Sequence, residues 1–95
     1  MKKVELDLTG CKYWDELHER IRVAFDFSEY YGHNWSAFWD LLWSECDADE
    51  VIIKGEKTMS HNFDDALKKL HKILERNIEF RKKHNWEPFS YKIID

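Results

Sequence analysis

Apolar and polar residues alternate strictly over residues 4–8, and the dipeptide Thr9-Gly10 follows. This pattern predicts a β-strand and a turn at the start of the chain. Apolar residues then recur at helical spacing, which predicts an amphipathic first helix with its acidic residues early and its arginines late. The apolar positions of this helix are Trp14, Leu17, Ile21, Ala24 and Phe25.

Residues 27–33 are predicted to form a loop, and Asn34 is a suitable N-cap for a second helix that runs to about Glu45. The short β-branched run at residues 51–53 favours a strand that is buried on both faces. Residues 89–94, which follow the single proline, predict a last strand.

A long helix is predicted between these two strands, with Asn62 as its N-cap, Asp64 and Asp65 in its first turn and basic residues 81–83 at its end. An inward apolar stripe supports it. The stripe consists of Phe63, Ala66, Leu67, Leu70, Ile73 and Leu74.

The predicted order is strand, two helices, strand, one or more helices, strand. Strands joined by helical crossovers pair in parallel, and such crossovers are right-handed in nearly all proteins. We therefore predict an α/β fold, with a small three-stranded parallel sheet packed against three to four helices. A length of 95 residues with 43% apolar residues is enough for one modest core. Residues 1–95 are expected to form a single domain.

The net charge of −4 is distributed unevenly along the chain. The balance is −7 over residues 1–50 and +3 over residues 51–95, and residues 26–50 contain seven acids without any Lys or Arg. Such a block either attracts basic partners and repels nucleic-acid phosphates, or forms a solubilising acidic surface.

No stretch approaches the roughly 20 apolar residues of a membrane helix, and the first residues lack the apolar run of a signal peptide. We expect a cytoplasmic protein that does not contact a membrane. The two cysteines, Cys11 and Cys46, lie in different segments without CxxC spacing, and both are expected to be reduced.

The second helix is the most informative segment. One of its faces carries four apolar residues that suffice for a core: Trp35, Phe38, Leu41 and Leu42. The other face carries Ser36, Trp39, Asp40 and Trp43. Two exposed tryptophans beside an aspartate are typical of a protein-binding hot spot. Alternatively, the sheet and the long helix cover both faces, and Trp39 and Trp43 belong to the core.

Residues 28–42, Ser-Glu-Tyr-Tyr-Gly-His-Asn-Trp-Ser-Ala-Phe-Trp-Asp-Leu-Leu, resemble the signature of the barstar family, intracellular inhibitors of ribonucleases such as barnase. Glu16-Leu17-His18 and the order of elements also fit this family. The resemblance implies that the second helix and its preceding loop insert into a ribonuclease active site. It places Tyr30, Gly32, Asn34, Trp39 and Asp40 at contact positions, with Asp40 in the pocket for the substrate phosphate.

The chain departs from the family pattern at three positions of this face. Ser36 replaces a second aspartate, His33 replaces a glutamate, and Trp43 replaces a small hydroxyl residue. The family also supplies an acid from its last helix, and both Lys72 and Glu75 lie near the expected place. We therefore expect a cognate ribonuclease other than barnase, of the basic secreted or toxin type. The predicted binding residues are Tyr30, Gly32, His33, Asn34, Ser36, Trp39, Asp40 and Trp43.

Other functions have weaker support in the sequence. The five histidines are scattered and none is paired with a cysteine at ligand spacing, so we expect no enzymatic activity, metal or cofactor. The basic residues of the long helix are interleaved with acids, which favours a solvated face over nucleic-acid binding. They are Lys68, Lys69, Lys72, Arg76, Arg81, Lys82 and Lys83. An interaction module without a ribonuclease partner is the main alternative, and the free chain is expected to be a monomer, although exposed tryptophans could also support a dimer.

Overall fold

The computed structural model describes residues 2–94, which form a three-stranded parallel sheet and three α-helices. The predicted α/β fold class is confirmed, and the predicted strand and helix boundaries are within about two residues of those observed. The elements in chain order are β1 (Lys3–Asp7), α1 (Trp14–Phe25), α2 (Trp35–Ser44), β2 (Glu50–Lys54), α3 (Asp64–Lys83) and β3 (Ser90–Ile94). The strands lie in the order β1-β2-β3, so β2 is central.

The register of the sheet separates an apolar face from a charged one. Val4 is paired with Val51 and Leu6 with Ile53, so that these buried side chains share one face. The prediction that β2 is buried on both faces is wrong, because Ile52 on the other face is only half-buried. Its neighbours in register are Glu5 and Lys92, both exposed. The charged side chains of the two outer strands therefore show that this face of the sheet is in contact with water.

All three helices contribute fully buried side chains to the core. These are Leu17, His18 and Ile21 from α1, Phe38 and Leu42 from α2, and Leu70, Leu74 and Asn77 from α3. Trp14 was predicted to face the core but is 46% exposed, while His18 is completely buried. The ring of His18 packs against those of Tyr31 and Trp35, with centroid distances of 5.7 Å and 4.7 Å.

The start of α3 differs from the prediction. Asn62 lies in a single 3₁₀ turn, His61–Phe63, in which the Ser60 side chain accepts a hydrogen bond from the Asn62 amide. The helix then begins at Asp64 without a side-chain cap, so Asn62 is not its N-cap. The predicted inward stripe is confirmed, since its six residues are buried or pack against the core. Arg81 is also buried, and therefore does not belong to the solvated basic face.

Cys11 is buried and Cys46 half-buried, and both are free thiols. Burial raises the pKa of each thiol above its ordinary value. Among residues 2–94, none of the helices has the length and apolar character needed to cross a membrane.

Candidate functional site

The start of α2 is held by two hydrogen bonds from one side chain. Asn34 has an extended backbone, and its Oδ1 accepts a hydrogen bond of 2.8 Å from the amide of Ala37, which confirms the predicted cap. Its Nδ2 donates to the carbonyl of Gly32 at 2.9 Å. A Cβ atom at Gly32 would lie only 3.0 Å from this Nδ2. The Asn34 side chain therefore connects the loop to the first turn of α2 and restricts their relative orientation.

The two consecutive tyrosines of the loop point in opposite directions. Tyr31 is buried, and its hydroxyl group lies 2.7 Å from Nδ1 of His18 on α1. Tyr30 is 89% exposed, while its backbone amide donates a hydrogen bond to the Ser28 hydroxyl. Since Tyr31 is anchored in the core, Tyr30 is presented to solvent from a fixed loop.

Asp40 is exposed and lies between two surface clefts, each of about 280 Å³. The first, here called the tyrosine cleft, is lined by Ser28, Tyr30, Tyr31, Gly32, Ala37, Asp40, Leu41 and Glu45. The second, here called the arginine cleft, is lined by Trp35, Ser36, Trp39, Asp40, Ile73 and Arg76. The structure thus places five of the eight predicted residues around two adjoining depressions, with Asp40 common to both.

Trp39 is less exposed than the sequence indicated. Its ring is half-buried and packs edge-on against Phe80 of α3, with 5.7 Å between the ring centroids. The guanidinium carbon of Arg76 lies 4.1 Å from the centre of the Trp39 ring. The prediction that Trp39 projects freely into solvent is therefore wrong, because α3 lies close enough to cover one part of the ring. The remaining part lines the arginine cleft.

Trp43 remains 40% exposed one turn further along α2 and lines neither cleft. Its ring packs against Phe80 with a centroid distance of 5.6 Å. Phe80 also contacts Trp86, which is 48% exposed and follows the end of α3. Trp43 and Trp86 thus extend the aromatic surface beyond the clefts.

His33 lies beside α1 and lines neither cleft. Its Nε2 is 3.3 Å from a carboxylate oxygen of Glu19, and its Nδ1 is 3.8 Å from Asp15. Its ring stacks at 6.1 Å on that of His18. His33 has a left-handed backbone, with φ of 49°. The structure therefore places His33 outside both clefts, and its contacts with α1 support the loop.

Two residues of α3 that were not predicted as site residues, Ile73 and Arg76, complete the arginine cleft. Neither Lys72 nor Glu75, the residues proposed for this place from the sequence, lines it, and both are exposed. Ile73, Arg76 and Phe80 are at helical spacing and share the side of α3 that contacts α2. This spacing is the sequence pattern from which Ile73 and Arg76 could have been identified. The interleaved charges of α3 predict a solvated Arg76, because the charge pattern alone does not show that this side of α3 contacts α2.

The two clefts differ in charge. The tyrosine cleft contains the carboxylates of Asp40 and Glu45 without a cation, whereas the arginine cleft contains Asp40 and Arg76. In the part of the chain that the structure describes, His, Cys, Asp and Glu side chains form no group of three or more that could hold a metal ion. The geometry is that of a mainly acidic surface with two adjoining clefts.

Comparison with known proteins agrees with this architecture. The chain is similar to a Bacillus subtilis (strain 168) protein named "Putative ribonuclease inhibitor YrdF", with 28% identity over 80 residues, which covers 79% of this chain and 88% of that protein. The family model described as Barstar (barnase inhibitor) matches residues 1–93. This match spans β1, β2, all three helices, both clefts and all but the last residue of β3, and the chain therefore belongs to the barstar family.

Proposed function

We propose that this protein inhibits a ribonuclease by covering the enzyme's active site with the loop at residues 28–33 and with α2. The observation that carries the proposal is the position of Asp40, which is exposed between the two clefts and lines the tyrosine cleft together with Tyr30 and Gly32. The membership in the barstar family and the name of the similar Bacillus subtilis protein give independent support.

The physical basis is charge complementarity. A ribonuclease must bind the phosphates of its substrate, and its active site is therefore lined with cationic side chains. The tyrosine cleft is lined by the carboxylates of Asp40 and Glu45 and by no cation, so these two carboxylates can replace phosphate charge in such a site. The exposed ring of Tyr30 adds apolar contact area at a low entropic cost. A surface of this kind blocks the active site and offers no bond to cleave.

The same surface argues for a binding role and against catalysis or RNA binding. The inhibitor has no need of a cofactor, and its partner is a protein that it meets in the cytoplasm as a free monomer. The basic stripe of α3 is interrupted, because Arg81 is buried and Arg76 lies on Trp39. The other candidate remains an interaction module of the same fold whose partner is not a ribonuclease.

Inhibition assays with a panel of purified bacterial ribonucleases, barnase included, test the proposal. The unsubstituted chain is expected to inhibit at least one enzyme, and Asp40→Asn to weaken this inhibition by about 30-fold or more, as for a hot-spot residue. Asp65→Asn is the matched control, because it removes the same charge from an exposed position at the start of α3. Its effect is expected to stay within about twofold.

Two results would contradict the proposal. The first is the absence of inhibition across the panel together with capture of Asp40-dependent partners that lack ribonuclease activity, which would support the interaction module. The second is equal inhibition by the Asp40→Asn and Asp65→Asn variants. Tightest inhibition of barnase itself would overturn the narrower expectation, drawn from Ser36, His33 and Trp43, that the cognate enzyme differs from barnase.

A further inference from the structure

Arg76 places a positive charge on the surface that Asp40 makes negative. Its guanidinium carbon lies 4.1 Å from the centre of the Trp39 ring, and Arg76 shares the arginine cleft with Asp40 and Ser36. A contact of this kind holds the guanidinium in place through its face and leaves its N–H edge available. Arg76 is thus a positioned donor group at the binding surface.

Within residues 2–94, no side chain uses that donor edge in an ion pair. Among the described residues, every ion pair within 4.0 Å involves cations other than Arg76. Residues 36 and 73, which flank it in the cleft, are Ser and Ile and carry no charge. Asp40 lines the same cleft without forming an ion pair with it.

We propose that Arg76 is a specificity residue that selects a ribonuclease with an acidic side chain at the rim of its active site, opposite the arginine cleft. This inference rests on the proposed function. A guanidinium group binds a carboxylate with two parallel hydrogen bonds, which gives directional recognition. RNA phosphate is a poorer occupant of the same cleft, because Asp40 repels it.

The consequence for a uniformly cationic active site is repulsion. Such a site attracts Asp40 and Glu45 but meets a like charge at Arg76, and like charges juxtaposed at an interface reduce affinity for the wrong partner. Arg76 therefore discriminates between ribonucleases that share the same catalytic cations. In a ribonuclease with an acidic side chain opposite Arg76, the repulsion is replaced by an attraction.

The experiment measures inhibition constants of Arg76→Gln and Arg76→Glu against two probes. One probe is barnase, and the other is the panel ribonuclease that the unsubstituted chain inhibits most strongly. Against the strongly inhibited enzyme, Arg76→Glu is expected to weaken inhibition by about tenfold or more, and Arg76→Gln by less. Against barnase, which the departures at Ser36, His33 and Trp43 mark as a non-cognate enzyme, Arg76→Glu is expected to weaken inhibition less than it does against the strongly inhibited enzyme, because the discrimination by Arg76 is then lost.

Lys68→Glu is the matched control, because it makes the same change in net charge at an exposed position two turns earlier on α3. It is expected to change both inhibition constants by no more than about twofold at physiological salt. Thermal unfolding of each variant shows whether the fold is retained. Arg76→Gln keeps a long side chain over Trp39, and therefore tests the charge even where Arg76→Glu perturbs the packing.

The possible failures are distinguishable. If the unsubstituted chain and all variants fail to inhibit every ribonuclease, the proposed function fails and the specificity role fails with it. If the unsubstituted chain inhibits a ribonuclease and Arg76→Glu leaves that inhibition unchanged or strengthens it, only the role of Arg76 is overturned. Arg76-dependent binding of a single-stranded RNA oligonucleotide would also overturn it, because the cleft would then accept phosphate.

Discussion

Nδ1 of His18 and the hydroxyl oxygen of Tyr31 lie 2.7 Å apart, and both side chains are buried beneath the loop that leads into α2. Among the described residues, Nε2 of His18 has no hydrogen-bond partner. Burial lowers the pKa of His18 to about 4, with a smaller contribution from His33 that outweighs the opposite effect of Asp15. The loop at residues 28–33 therefore packs, through Tyr31, against a neutral His18.

Protonation of His18 is predicted to destabilise the protein in mild acid. The unfolded chain binds this proton near pH 6.5 and the folded protein only near pH 4, so the free energy of unfolding falls as the pH drops from 6.5 towards 4. The full loss from this group is up to about 3 kcal/mol. Urea unfolding at a series of pH values between 7 and 4 measures it.

His18→Gln removes the titrating group, and its unfolding free energy should depend less on pH between 6.5 and 4 even if the variant is less stable throughout. His61→Gln is the control, because it makes the same replacement at an exposed histidine outside this buried cluster. His33, Asp15 and Glu19 face the same cluster and are present in both variants. An identical pH dependence in His18→Gln and the unsubstituted chain would show that His18 is not responsible.

The two hydrogen bonds of the Asn34 side chain are predicted to contribute unequally to the free energy of unfolding. Asn34→Ala loses both the bond to the Ala37 amide and the bond to the Gly32 carbonyl, and is expected to lower the free energy of unfolding by about 1 kcal/mol. Asn34→Asp keeps the acceptor for the Ala37 amide and should retain most of this stability. Denaturant unfolding of both variants measures the difference. Equal losses in the two would mean that the cap is not the main contribution of this side chain.

The sequence predicted the scaffold well because periodicity and caps are local signals. The alternation at residues 4–8, the apolar stripe of α3 and the role of Asn34 as a cap are each set by residues close to one another in the chain. The prediction that Asn62 caps α3 was wrong because the Ser60 side chain, two residues earlier, caps a 3₁₀ turn that contains Asn62. Local signals specify that a helix starts near this point, but they do not decide which of two nearby polar residues, Ser60 or Asn62, acts as a cap.

The site was predicted less completely because it depends on contacts between distant segments. The exposure of Trp39 is decided by Phe80 and Arg76, which lie some 40 residues away on α3. The orientation of His33 likewise depends on carboxylates of α1. Helical periodicity places a side chain on a face of its own helix. It does not show which other helix covers that face.

Gly55 is predicted to be essential for the junction after β2. Its φ angle is 82°, and a Cβ atom there would lie 2.4 Å from the backbone nitrogen of Thr9. Gly55→Ala is therefore expected to cost about 3 kcal/mol of unfolding free energy, from the left-handed backbone and the backbone clash together. Gly10→Ala is the matched control, since Gly10 also has a positive φ but nothing within 4 Å of the added atom. Its expected cost is about 1 kcal/mol, and equal costs for the two variants would exclude the clash.

Arg81 is predicted to be the most costly charged residue of α3 to replace. It is 7% exposed, and its guanidinium group donates to the carbonyls of Ala48 at 3.1 Å, Cys46 at 3.3 Å and Glu87 at 3.4 Å. These acceptors lie in the segments that precede β2 and β3. One side chain from α3 therefore hydrogen-bonds to the segments that lead into two neighbouring strands. The Phe89 ring covers the guanidinium, with 5.1 Å between Cζ and the ring centre.

Arg81→Met keeps the length of the side chain but leaves these carbonyls without their donor, and is expected to lower the free energy of unfolding by about 3 kcal/mol. Arg81→Lys should recover only part of this loss, because one ammonium group cannot reach acceptors on two segments as a planar guanidinium does. Lys82→Met, at the adjacent exposed position, is expected to change stability by less than about 0.5 kcal/mol. Denaturant unfolding of the three variants measures these differences, and full recovery in Arg81→Lys would show that charge alone, without the forked geometry, connects the two strands.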